Sequence, residues 1–295
     1  MNQKEAGFLL LTSKLGNPER KTLTVSQLRT LGQRIRCMEP PRENRDLEMG
    51  DILALGYGQE MARRILALLE EEELLAHYLR RGARAECVPL CRISDGYPGV
   101  LKRKLDLDAP GCLWAKGDLS ILDSKMVALV GSRDLLPGNR EFAEEAGRQA
   151  ALQGFCLVSG NARGADRTAQ NACLKAGGRV VSIVADELWK QEPREGILYL
   201  SEDGFDEEFS AQRALSRNRC IHAMGDKTLV AQCSYQKGGT WDGTVRNLRF
   251  GWSPVFGLDD GSPGMDLLEQ MGLRKISMEA LSCLSGLKGD SIRLF

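Results

Sequence analysis

Histidine is nearly missing from this chain: among 295 residues only His77 and His222 carry an imidazole. A Ser–His–acid or Cys–His nucleophilic arrangement therefore has few possible members, and each histidine reads first as a packed or surface residue of a helix. Nine cysteines are present but no CxxC pair, and Cys87 and Cys91, with three residues between them, have no neighbouring histidine to complete a zinc set. Reduced, mostly buried thiols of a cytoplasmic protein are the expectation, with no metal and no cofactor. Long apolar runs are also absent. The stretch "FLLLT" near the start is too short for a signal-peptide core or a membrane span. Forty acidic and forty basic residues leave no net charge, so a polyanionic partner would have to be held by local arginine clusters and not by the overall field.

What is present divides into three parts. Residues 1–84 read as a helical module. "TVSQLRTLGQRI" starts at a capping Thr24 or Ser26, and "GYGQEMARRILALLEEEELLAHYLRRG" is a second periodic run that ends at Gly82. "CMEPPRENRDLEMG" between them, with two prolines and dense charge, predicts a loop or linker. The glutamates Glu70 to Glu73 read as a solvated helix face. Residues 85–276 change character. "VALVGSR", "FCLVSG", "RVVSIVA", "LYLSE" and "KTLVAQC" are short apolar runs without polar alternation, separated in most cases by helical segments. That pattern predicts an α/β domain with a doubly wound, mainly parallel sheet covered on both faces. Residues 277–295 remain as a short helical tail.

In such a sheet the ligand crevice lies beyond the C-terminal strand ends, where strand order reverses. Gly131, Ser132 and Arg133 close one strand. They offer close backbone approach, a hydroxyl and a guanidinium, although taken alone a surface arginine after a turn is the more ordinary reading, and no GxxG follows to make a dinucleotide loop. "SGNARGAD" says more. Gly160 and Gly164 permit positive φ, the following helix offers free N–H groups, and Arg163 adds charge, which together suit an anion. Asp166 reads as an N-cap or first-turn acid, or as a group that orients an arginine. If a helix runs from Asp206, then Arg213 and Arg217 share a face without an acid partner and point to an external anion, while Phe209, Ile221 and Met224 face the sheet. Asn218 is an unusual choice inside that helix, and Arg219 points elsewhere. Gly238, Gly239, Thr240 and Thr244 form another hydroxyl-bearing glycine turn at a helix start, and Trp241 either stacks a base or packs. Glu202 is the one acid at the strand ends suited to chemistry.

Taken in order, these motifs resemble the DNA-processing protein A (DprA/Smf) family. The likeness runs from about Cys91 to Ile276. It includes Tyr97-Pro98 upstream, the phrase Leu113-Trp114 with Gly117, the run from "VALVGSR" to "VADEL", and "SRNRCIHAMGDKTLVAQCS". The resemblance implies an extended Rossmann-like core preceded by a small SAM-like helical module. It further implies binding of single-stranded DNA, loading of a RecA-type recombinase in natural transformation or recombination, a homodimer and no required catalysis. The phosphate-gripping positions implied are Ser132, Arg133, Ser159, Gly160, Arg217 and, beside it, Asn218. Three departures stand out. Ala169-Gln170 replaces an expected Ala-His, "KGGTWDGT" replaces a Ser-Gly-Ser turn, and no winged-helix module is expected after the core. A second reading, a nucleoside-monophosphate phosphoribohydrolase of the LOG type, meets Asn247 where that family's catalytic glutamate would fall.

Overall fold

The computed structural model describes residues 1–37 and 47–289. Most of the proline-rich segment expected as a loop therefore lies outside the described residues. The amino-terminal part is helical: α1 (Gln3–Thr12), α2 (Val25–Arg36), α3 (Met49–Ala54), α4 (Gln59–Leu69) and α5 (Glu72–Arg84). Thr24 is the cap of α2; its hydroxyl accepts the Gln27 N–H while Gln27 answers the Thr24 N–H. The second periodic run is not one helix. It breaks at Glu70–Glu71, because Glu71 leaves helical geometry, its carboxylate pairs with the buried Arg20 at 2.5 Å, and Glu72 and Glu73 supply acids to the first turn of α5. The four glutamates thus form a joint rather than one solvated face.

The remainder is built on a nine-stranded sheet. Its strands are β1 (Val88–Cys91), β2 (Cys112–Lys116), β3 (Met126–Val130), β4 (Cys156–Ser159), β5 (Arg179–Val184), β6 (Ile197–Glu202), β7 (Thr228–Val230), β8 (Val255–Leu258) and β9 (Arg274–Ile276). The order is β1-β2-β6-β5-β4-β3-β7-β8-β9. β2 pairs antiparallel with β1 at the edge and with β6 on its other side, and across the sheet from β6 to β9 all strands run parallel. Helices α6 (Gly99–Leu105), α7 (Pro137–Leu152), α8 (Ala165–Lys175), α9 (Ala211–Met224), α10 (Gly238–Phe250) and α11 (Pro263–Gln270) cover the two faces. Short 3₁₀ turns cover Met278–Gly286 where a helical tail was expected, and they bury Leu281 and Leu284.

The continuous apolar runs follow from this two-sided burial. Val127 and Leu129 of β3 join Phe142, Ala146 and Ala169 of α7 and α8 on one face, while Ala128 and Val130 join Ile221, Met224 and Met265 on the other. The helical module meets the sheet through an aromatic cluster. Tyr78, Trp114 and Phe205 stand with ring centroids 4.7–5.3 Å apart, and the Tyr78 hydroxyl donates to Asp206 at 2.6 Å. All nine cysteines are free and seven are buried. None of the described helices is long and apolar enough to cross a membrane.

Strand order reverses between β3 and β7. From β3 the chain adds β4, β5 and β6 on one side, then returns to lay β7, β8 and β9 on the other. All of these strands point the same way, so the turns after β3, β4, β5, β6 and β7 open on a single edge.

Candidate functional site

The gap left by the reversal is a hollow of about 530 Å³ beyond Val130. Gly131, Ser132 and Arg133 form one wall, Arg217 and Asn218 the floor, and Lys237, Gly239 and Thr240 the opposite wall. Gly131 is needed because a Cβ there would strike the methyl groups of Ala165 and Ala231. On the far side α10 starts at Gly238, where φ is +87°, and no side chain caps its first turn. Its free N–H groups and positive dipole end face the hollow, next to the exposed Lys237. Asn218 donates to the Gly239 carbonyl at 3.0 Å. That bond ties α9 to the start of α10 and explains an asparagine within a helix.

The turn after β4 is shaped from beneath. Gly164 is the N-cap of α8 with φ +85°, and a Cβ there would collide with the carbonyls of Ser132 and Arg133. Asp166 does not cap the helix by the usual route. Its carboxylate accepts the N–H of Gly160 at 3.2 Å and of Ala162 at 3.1 Å, which closes the turn over itself. Arg217 lies flat over Gly160, where any Cβ would strike the guanidinium, and it donates to the Ile183 carbonyl. Burial raises the Asp166 pKa, with the Arg217 charge opposing; burial likewise lowers that of Arg217, with Asp166 opposing. The two are buried opposite charges that offset one another's burial without a direct ion pair.

This geometry corrects several expectations. Arg213 and Arg217 do not present a joint face to an outside anion. Arg213 spends its donors on the carbonyls of Ala185, Glu207, Glu208 and Glu202 and on the Ser201 hydroxyl, so it clamps the segment ahead of α9. Arg217 lines the hollow yet is turned inward and only 7% exposed. The helix starts at Ala211 behind a Ser210 cap, not at Asp206, and Phe209 lies outside it, exposed to solvent. Ile221 and Met224 do face the core. Glu202 is no free acid: Arg219 pairs with it at 2.9 Å and the Cys220 thiol donates to it, while burial raises its pKa. Ser159 is fully buried and receives the Gln170 amide at 2.6 Å, so neither it nor Gln170 reaches the crevice. Arg163 faces outward with Asp134 at 2.5 Å. Thr244 is buried, and Trp241 packs partly against the core with Tyr235 at 6.4 Å.

The structure therefore brings Gly131, Ser132, Arg133, Asp166, Arg217, Asn218, Gly239 and Thr240 to one hollow, with Gly160 beneath it. It leaves Arg163 and Gly164 in an adjoining one and Arg213 in a third. Lys237 and Gln232 were missed. Lys237 could have been found, since a lysine directly before Gly-Gly-Thr at a helix start is an N-terminal cation beside an anion turn. Asn247, at the position of the phosphoribohydrolase glutamate, is buried against His222, Thr228 and Ser253 and does not line the hollow.

A family model described as DNA recombination-mediator protein A matches residues 89–245. The DNA processing protein DprA of Bacillus subtilis is 27% identical over 176 residues, which is 56% of this chain and 57% of that protein. The chain spans about half the length of the curated relatives it matches. Among solved structures, DprA of Streptococcus pneumoniae superposes with a TM-score of 0.64 at 24% identity, covering 92% of this chain and 100% of that one. DprA of Helicobacter pylori, whose own binding mode for single-stranded DNA has been described, gives 0.56 at 24% identity over 67% of this chain and 94% of its own. At these identities the superpositions show the shared fold.

Proposed function

The chain belongs to the DNA recombination-mediator protein A family, and from that premise we propose that it binds single-stranded DNA in the crevice between β3 and β7 and presents it to a RecA-type recombinase. It does so in DNA uptake or recombination, by binding and without a catalytic step. The observation that carries this reading is the uncapped amino end of α10, with Lys237 beside it, facing Ser132 and Arg133 across one open hollow. Backbone N–H groups, hydroxyls and two exposed cations suit a phosphate backbone, which is recognised by charge and donors and not by base edges. The single-strand binding described for the H. pylori relative supports the same ligand.

Within this reading residues 1–84 act as a separate helical module, residues 85–276 as the DNA-holding core, and the active form is a cytoplasmic homodimer. Asp166, Arg217, Gly160 and Gly164 position the crevice floor; Ser132, Arg133, Lys237, Gly239 and Thr240 touch the strand. The phosphoribohydrolase alternative loses its support at Asn247, which sits inside a buried hydrogen-bond network. Fluorescence anisotropy with labelled single-stranded and duplex oligonucleotides across a salt series tests the proposal. Tighter binding of the single strand, with affinity falling steeply as salt rises, is expected. Equal binding of both, or no salt dependence, rejects it.

A further inference from the structure

A second hollow of about 430 Å³ adjoins the crevice, and Arg133 and Asp134 line both. Its other walls carry Arg140 from α7 and Arg163 and Arg167 at the start of α8. Four guanidinium groups thus meet around one acid. Among the described residues Arg133 and Arg140 have no side-chain hydrogen bond or ion pair, and Arg167 gives only its Nε to the Asn161 carbonyl. Asp134 pairs with Arg163, but the two side chains are 86% and 72% exposed. Such a surface pair is weak and readily exchanged for a better anion. Two helices also begin here: α7 with 16 residues and α8 with 11, neither closed by a side-chain cap. Of the two only α8 lines the hollow with its start, through Gly164, Arg167 and Thr168, and its Ala165 N–H is already held by the Ser132 carbonyl, so the arginine side chains and not the helix ends supply the charge. Asp166, the acid in the first turn of α8, is buried and committed to the amides of Gly160 and Ala162, so it does not occupy the space.

We propose that this arginine hollow is a second phosphate site, which takes the continuation of the same single strand as it leaves the crevice over Arg133. The inference rests on the single-strand reading above and adds a direction to it: the strand crosses from β7 past β3 and exits over the amino ends of α7 and α8. The protein therefore has two binding segments with Arg133 as their hinge point. A short oligonucleotide fills the crevice alone, and a longer one reaches Arg140 and Arg167.

The test compares oligothymidylates of about 6 and about 20 nucleotides on the full chain, in wild type and in the Arg140→Gln/Arg167→Gln variant. The longer oligonucleotide is expected to bind on the order of tenfold more weakly to the variant. Its log–log salt slope should fall by about 1.4, as two single-strand phosphate contacts are lost. The shorter one should bind both proteins alike. Arg140→Gln alone, at an exposed side chain with no protein partner, gives half the slope change and guards against a folding effect. Equal weakening of both lengths, or no change in either, overturns the second site while the crevice reading stands. If wild type binds neither length, the crevice reading falls, and this inference with it.

Discussion

Removing the Asp166 carboxylate tests the floor of the crevice directly. In Asp166→Ala the N–H groups of Gly160 and Ala162 lose their common acceptor. Each such loss costs about 1–3 kcal/mol when the donor is left unpaired away from water. Arg217, which is 7% exposed, loses the opposite charge that most offsets its burial at the same time. At an effective dielectric near 20, opposite unit charges about 4–8 Å apart attract by about 2–4 kcal/mol. The expected destabilisation of Asp166→Ala is therefore about 4–10 kcal/mol. Asp166→Asn keeps an acceptor for the two amides and removes only the charge, so it should cost about 2–4 kcal/mol. Joining it with Arg217→Met removes both charges and should show a coupling of about 1–3 kcal/mol. Equilibrium urea unfolding followed by circular dichroism and tryptophan fluorescence reads wild type, the three single variants and the double variant. A loss below about 1 kcal/mol in Asp166→Ala, or simple additivity in the cycle, would refute the buried-charge account.

Other consequences are more compact. His222 is fully buried, and burial alone pulls its pKa down to about 3. The folded state therefore refuses a proton that the unfolded chain accepts near pH 6.5. The neutral form is free of penalty above that pH, and stability is lost as pH falls from about 6.5 towards 3, by up to about 1.4 kcal/mol per pH unit. Urea midpoints measured from pH 7 to 4 should decline less steeply in His222→Gln than in wild type. Arg213→Ala should lower stability by about 2–4 kcal/mol, because it strips a five-bond clamp. It should leave the salt slope of oligonucleotide binding unchanged under folded conditions, whereas Arg133→Gln should reduce that slope by about 0.7. Gly164→Ala, strained at φ +85° and blocked by two carbonyls, should cost more than about 1 kcal/mol in the same unfolding assay.

The alternation of apolar strands with helices was legible because strands buried on both faces need no polar positions, and β3, β4 and β6 are buried throughout. The glycines were legible for a similar local reason: Gly131 and Gly160 directly follow strands and Gly164 opens α8, and at each a methyl group, a guanidinium or a carbonyl lies too close for a Cβ. The arginines were not. Whether Arg217 faces solvent or the interior depends on the Ile183 carbonyl, 34 residues away in the chain, and Arg213 depends likewise on Ala185 and Ser201. Spacing within one helix carries no information about partners on other elements. Gln170 shows the same limit: its departure from the expected histidine is a packing matter, since it bridges the hydroxyls of Ser159 and Ser182 on neighbouring strands. The break at Glu71 was hidden because the salt bridge to Arg20 that stabilises it joins residues 51 apart.

The central claim is that a single strand lies in the hollow between β3 and β7, against the backbone at both walls. Amide hydrogen exchange, with and without a saturating oligothymidylate, measures this most directly. The account predicts slowed exchange in residues 131–134 and in residues 237–241, with the helical module of residues 3–84 unaffected. Protection confined to the helical module, with both crevice segments unchanged, would contradict it.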